Sequence, residues 1–207
     1  MSGLRERKKQ ATREALMSAA LRLALERGLD NVRNEDIAAE AGVSPRTFGN
    51  YFSSKYEALA ARHTDRAALQ VAVLRARPPG EPLWQALTEA TAQAWESHTG
   101  PEATAPDPER LAATRLLVDE PSLQAEAMKL ALASQQELVA AVAERTGTDP
   151  GRDLYPHLVA GTVTAAVQTT VGRWLYADPP VPFIPLLREA LRQVAAGLPD
   201  PSTRGDT

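Results

Sequence analysis

Ile37-Ala38-Ala39-Glu40-Ala41-Gly42-Val43-Ser44-Pro45-Arg46-Thr47-Phe48-Gly49-Asn50-Tyr51-Phe52 reads as two short helices joined by a tight turn. Gly42 sits where the chain must reverse, at a position where a positive φ would strain any residue carrying a Cβ. Val43 can plug the space between the helices. Ser44 offers an oxygen to the free N–H groups of the second helix, and Pro45 fits its first turn without losing a needed donor. Beyond it, Arg46, Thr47, Asn50 and Tyr51 place polar groups on one side, while Phe48 and Phe52, four residues apart, supply an apolar anchor on another. A helix held in this way can offer its N-terminal half to a major groove, so double-stranded DNA is the first partner to consider. The plain alternative is an ordinary helical hairpin without a ligand.

The flanking residues extend the pattern. Ser54 and Glu57 have the spacing of a capping box, which predicts a further helix from Ser54 with Lys55 in its first turn. A cation there opposes the helix dipole, but it suits a phosphate lying over the free N–H groups, so Lys55 is expected to contact DNA backbone. Upstream, Ala15, Leu16, Ala19, Ala20, Leu23 and Ala24 recur at helical spacing. That helix ends at Gly28, with Leu29 as an apolar contact behind the cap.

With this order of Ala-Gly-Val-Ser, an aromatic, Tyr-Phe and Ser-Lys, residues 11–60 resemble the tetracycline-repressor-like (TetR) family of bacterial transcription regulators. The resemblance implies an all-α homodimer. It further implies an N-terminal three-helix helix-turn-helix domain, followed by a larger helical domain that dimerises and binds a small molecule, whose binding usually releases a palindromic operator. Carried across, it implies Thr47 and Tyr51 as phosphate or groove contacts, Arg46 and Asn50 as base readers and Lys55 as a backbone clamp; Ser44 and Pro45 complete the DNA-binding set. Two departures stand out. Gly49 occupies a position usually held by an aromatic or large residue, and Val32, Arg33 and Asn34 replace a threonine-rich start to the preceding helix. Glycine inside a helix costs about 1 kcal/mol against alanine, so Gly49 either permits close approach to DNA or weakens the recognition helix. Asn34 can still cap the second helix, with Glu35 and Asp36 in its first turn, and Arg33 can reach a phosphate in place of the missing threonine.

Composition agrees with a DNA-binding chain once charge is divided along its length. The 207 residues carry a formal net charge of −3, yet residues 1–66 hold +3 and residues 67–207 hold −6. The basic excess begins with Arg5, Arg7, Lys8, Lys9 and Arg13 against a single Glu6, an arm expected either to follow phosphates or to stand solvated. No apolar run follows this arm that would act as a signal peptide, so a cytoplasmic location is expected. With no cysteine, thiol switches, disulfides and thiolate metal sites are excluded.

The remaining chain is a series of helical segments cut by Pro/Gly punctuation, expected near 55–77, 81–98, 107–119, 122–146, 152–177 and 183–197. Asp107-Pro108 and Asp149-Pro150 each set an acceptor before a helix-compatible proline. The expected organisation is a DNA-binding domain over 1–54 including the basic arm, an effector-binding and dimerisation domain over 55–200, and a disordered tail over 201–207. The stretch Gly100 to Pro106 is expected to be a mobile loop.

From Leu154 to Gly172 there is no charged residue and the apolar positions do not keep to one face, a pattern that asks for burial all round. Pro156, His157, Gln168 and four threonines argue against a membrane span. The small residues Gly161, Ala165 and Gly172 are expected to meet a partner helix, and Leu187, Leu191 and Val194 of the last helix to join them in a four-helix interface between two subunits. Trp95, His98, Arg115, Met128, His157 and Trp174 are the candidate pocket residues, with a salt bridge from Arg115 to Asp119 as the competing use of that guanidinium.

The expected function is therefore a ligand-responsive DNA-binding regulator, most simply a repressor, with an unknown small-molecule effector and no cofactor. A helical enzyme is the alternative, but no nucleophile with a base stands out, and the histidines 63, 98 and 157 are too scattered for metal spacing. A protein-interaction module without salt-dependent DNA affinity is the other.

Overall fold

The computed structural model describes the backbone of residues 2–99 and 108–198, with side chains for 4–97 and 111–198. Every regular element among these residues is helical: α1 (Ser2–Arg27), a 3-10 turn (Leu29–Asn31), α2 (Asn34–Glu40), α3 (Pro45–Gly49), α4 (Lys55–Ala76), α5 (Leu83–Thr99), α6 (Pro108–Val118), α7 (Pro121–Thr146), α8 (Tyr155–Leu175) and α9 (Phe183–Ala195). The expected loop Gly100 to Pro106, the Asp107 cap and the tail 201–207 lie outside the described residues.

The chain divides into two compact units, one of residues 1–65 with 109–131, the other of 66–108 with 132–207. The first unit thus takes in more than the 1–54 expected from sequence: the start of α4, α6 from Glu109 onward and the first part of α7. Its core explains why. Leu16, Met17, Ala20 and Leu23 of α1 meet Ile37, Phe48, Phe52, Ala58 and Leu59, and Leu117 of α6 is buried among them with Leu123 of α7 packed alongside. The α1 stripe is shifted slightly from its predicted set, since Ala15 is exposed and Met17 is buried.

The basic N-terminal segment is helical and belongs to α1, so the expected arm is the start of a helix. Arg13 leaves the basic set altogether. Its guanidinium bonds Asp65 at 2.9 Å and lies 5.1 Å from the Phe52 ring centre, tying α4 to α1.

In the second unit Val71, Leu74, Leu87, Leu138, Val142, Val159, Val163, Phe183, Leu187 and Leu191 form the core, and α9 packs on both α8 and α5. The predicted start near 152 is displaced: Asp149 and Asp153 close a separate turn, with Asp149 N–H donating to Asp153 Oδ2 at 2.8 Å and Gly151 N–H to Asp149 Oδ1 at 2.8 Å. Helix α8 then starts at Tyr155 with Pro156 in its first turn. It is not buried all round. Pro156, Val159, Ala160, Val163, Ala166 and Thr170 face the core, whereas Leu158, Ala165, Thr169, Gly172 and Tyr176 are exposed.

Candidate nucleic-acid interface

The helix-turn-helix forms as its residue types require. Gly42 has φ +69°, and the turn around it satisfies the last carbonyls of α2 through Gly42 N–H to Ala39 O at 3.0 Å and Val43 N–H to Ala38 O at 2.9 Å. Val43 packs against the core. Ser44 then caps α3, its Oγ accepting from Thr47 N–H at 3.1 Å, with Pro45 in the first turn. Helix α3 has only five residues, too few to be stable in isolation, so its orientation comes from packing. Phe48 is 2% exposed and Phe52 2%, with ring centres 6.0 Å apart.

That anchor decides what α3 presents. Ser44, Pro45, Arg46, Gly49 and Asn50 are exposed, and no hydrogen bond or ion pair engages the Arg46 guanidinium or the Asn50 amide among the described residues. Thr47 is half-buried, its hydroxyl 2.9 Å from that of Ser44; the two hydroxyls are thus partly spent on the cap. Tyr51 is also half-buried and packs on the core, 6.5 Å from the Phe52 ring centre.

Two expected roles change in the structure. Asn34 is the first residue of α2 rather than its cap; Arg33 flanks the helix, and Asp36 Oδ2 accepts from Arg33 N–H at 2.8 Å. The Asp36 carboxylate thus takes up the N–H of the flanking residue, a different donor from the first-turn N–H groups expected for the asparagine. The exposed Arg33 side chain stands beside it.

Lys55 does not simply project toward solvent. Its Nζ donates to Leu29 O at 2.7 Å and Val32 O at 3.0 Å, adding a charged donor to Leu29 O, which also accepts from Val32 N–H at 3.2 Å. Two of its three N–H groups hold the fold together. The predicted capping box is also offset by one residue: Ser54 Oγ accepts from Glu57 N–H at 3.1 Å, while Glu57 Oε2 accepts from the backbone and hydroxyl of Ser53 at 2.7 and 2.6 Å. Burial raises the Glu57 pKa, but the Ser53 hydrogen bonds, with the charges of Lys129 and Arg13, outweigh it and leave the carboxyl below its ordinary value.

The pocket candidates are divided between the two units. Arg115 and Met128 fall in the first unit, and Met128 is 57% exposed on α7. His157 is tied to the turn before α8, with Nε2 2.8 Å from Pro150 O. The side chain of His98 lies outside the described residues. Trp95 and Trp174 do come together, in the second unit, on either side of Phe183: ring centres are 4.4 Å apart for Trp95–Phe183 and 5.4 Å for Trp174–Phe183. The Arg66 guanidinium lies 3.9 Å from the Trp95 ring centre, and the buried Trp174 Nε1 has no hydrogen-bond partner among the described residues. Sequence reading missed Phe183 as the centre of this group and Arg66 as its cation. Nothing local marks a contact between residues 88 positions apart, although a lone phenylalanine opening an amphipathic helix was a usable signal.

The expected interface residues of α9 are also reassigned. Leu187 and Leu191 are each 0% exposed within the single chain, and Val194 packs against the same core. Their stripe is consumed by α5 and α8 of their own subunit. On α8, Gly161 is half-buried with Gln135 nearby, whereas Ala165 and Gly172 are exposed.

Comparison with known proteins accords with this geometry. Residues 16–61 match the family model described as bacterial regulatory proteins, tetR family, and residues 81–199 match the model of the MftR C-terminal domain. The chain is 31% identical over 178 residues to the HTH-type transcriptional regulator TcmR of Streptomyces glaucescens, covering 85% of this chain and 79% of that one. Similar solved folds include the fatty acid degradation regulator FadR of Bacillus halodurans, at TM-score 0.58 and 16% identity over 90% of this chain and 96% of the other. Another is Thermus thermophilus FadR, a TetR-family repressor solved with lauroyl-CoA, at TM-score 0.54 and 21% identity over 94% and 99%. On the family models and the TcmR match, this chain belongs to the TetR family of bacterial transcription regulators, and its first unit carries the family's DNA-binding domain.

Proposed function

We propose that the protein is a dimeric, ligand-responsive repressor that holds a two-fold symmetric operator and leaves it when a small molecule binds. The observation that carries this reading is the division of α3 into a buried Phe48 side and an exposed side bearing Pro45, Arg46 and Asn50. Arg46 is suited to guanine O6 and N7 and Asn50 to adenine N6 and N7. Arg33, Ser44, Thr47 and Tyr51 are placed in supporting roles toward phosphates. Lys55 joins them only through its third N–H.

Dimerisation is proposed through α8, where Leu158, Thr162, Ala165, Thr169 and Gly172, with Tyr176 just past the helix end, recur at alternating intervals of four and three. That stripe carries no charge, and Leu158 is 62% exposed. A two-fold symmetric operator requires two recognition helices on successive major grooves, about 34–36 Å apart, and so two copies of the chain. The effector is proposed to act in the second unit around Trp95, Phe183 and Trp174. An effector must bind the DNA-free arrangement more tightly than the DNA-bound one, since equal affinity shifts nothing. Family membership favours a regulator acting in the cytosol over a helical enzyme.

The experiment is a binding isotherm of the purified protein on upstream genomic duplexes at several salt concentrations, with its solution mass measured in parallel. Wild type should bind as a dimer with a steep salt dependence, and Arg46→Ala should lose about tenfold or more in affinity. Equal binding by Arg46→Ala would remove α3 as the reading helix.

A further inference from the structure

We infer that Gly49 is where α3 brings its backbone against the base edges, and that the missing side chain is a specificity determinant of this regulator. The inference rests on α3 being the reading helix. Four observations lead to it. Gly49 is the last residue of α3 and is not among the glycines of positive φ, which are Gly28, Gly42, Gly147 and Gly197; its backbone conformation is open to any residue. A Cβ built on it would meet nothing within 4 Å, so no neighbour among the described residues requires its absence. Glycine has the lowest helix propensity after proline, and with no positive φ at residue 49 the backbone does not call for it. Finally, it is exposed, on a helix whose Phe48 is buried.

What glycine changes is therefore the surface that α3 offers. Gly49 lies one turn beyond Pro45 and Arg46 and directly before Asn50, so the helix has a low step with a polar side chain on either flank. Asparagine is short, and its bidentate pairing with adenine is possible only if the helix backbone comes close to the base edge. A large side chain at residue 49 would hold the duplex away before Asn50 could reach. Arg46, on a longer stem, tolerates a greater distance. Gly49 accordingly acts as a positioning residue for the Asn50 contact.

The test uses the full-length protein and a duplex selected by wild type from a random-sequence pool, with a scrambled duplex of equal length as control. Fluorescence anisotropy is measured for wild type, Gly49→Ala, Gly49→Phe and Asn50→Ala, together with each melting midpoint. Gly49→Ala should melt higher than wild type yet bind the selected duplex about tenfold more weakly, about 1.4 kcal/mol, with unchanged affinity for the scrambled one. Gly49→Phe should lose more, and combining either with Asn50→Ala should add little further loss. If Gly49→Ala and Gly49→Phe are folded and bind the selected duplex as tightly as wild type, the inference is overturned while the regulator reading stands. A wild type that binds neither duplex overturns both.

Discussion

Replacing Phe48 by alanine tests the physical basis of the recognition helix. The side chain is 2% exposed and packs with Phe52 in the core of the first unit. A buried phenylalanine removes on the order of 150 Å² or more from water. At roughly 25 cal/mol per Å² that is about 4 kcal/mol, within the range of about 3–5 kcal/mol measured when a core phenylalanine is cut to alanine. A domain's whole stability is about 5–15 kcal/mol, so Phe48→Ala should leave the first unit marginally folded. Phe48→Leu keeps most of the volume and should cost about 1–2 kcal/mol. Urea unfolding followed by far-ultraviolet circular dichroism reads the loss. The three tryptophans, Trp84, Trp95 and Trp174, all lie in the second unit, so their fluorescence followed on the same samples reports that unit separately. A loss below about 1 kcal/mol for Phe48→Ala, with DNA affinity intact, would refute the argument that packing on this ring holds α3 in place.

Lys55→Met separates a structural lysine from a phosphate clamp. Leu29 O and Val32 O would lose their charged donor, so stability should fall by about 2 kcal/mol, while the slope of log affinity against log salt falls by well under one, as for a lysine with only its third N–H toward a phosphate. A slope lower by about one, with stability unaltered, would restore the clamp. For Glu57 the sign follows from its lowered pKa: a carboxyl that is more acidic when folded contributes stability above its unfolded value and loses it as pH falls through the folded value. Glu57→Gln should therefore be less stable than wild type at neutral pH, and the gap should close in acid; a gap independent of pH between about 3 and 7 counts against the Ser53–Glu57 cap.

How far the amino-acid order determines this molecule depends on the distance over which each interaction acts. The turn at Gly42, the Ser44 cap and the Phe48/Phe52 anchor are set within a few residues, by φ preference, by an oxygen placed three positions before an N–H and by helical spacing; all were legible before the fold was known. Most helix boundaries were legible for the same reason; the exceptions are the basic segment that proves to be the start of α1, the start of α2 at Asn34, and the turn that Asp149 and Asp153 close before α8. Tertiary structure decided what the long side chains and apolar stripes are used for. Lys55 turns back to carbonyls more than twenty residues earlier, and Arg13 reaches Asp65. Leu187 and Leu191 are buried by their own subunit, while Leu158, Ala165 and Gly172 of α8 stay exposed within the single chain. A stripe announces that burial is needed but cannot name the surface that supplies it, and a charged stem long enough to reach several partners is assigned only when folding brings one of them near.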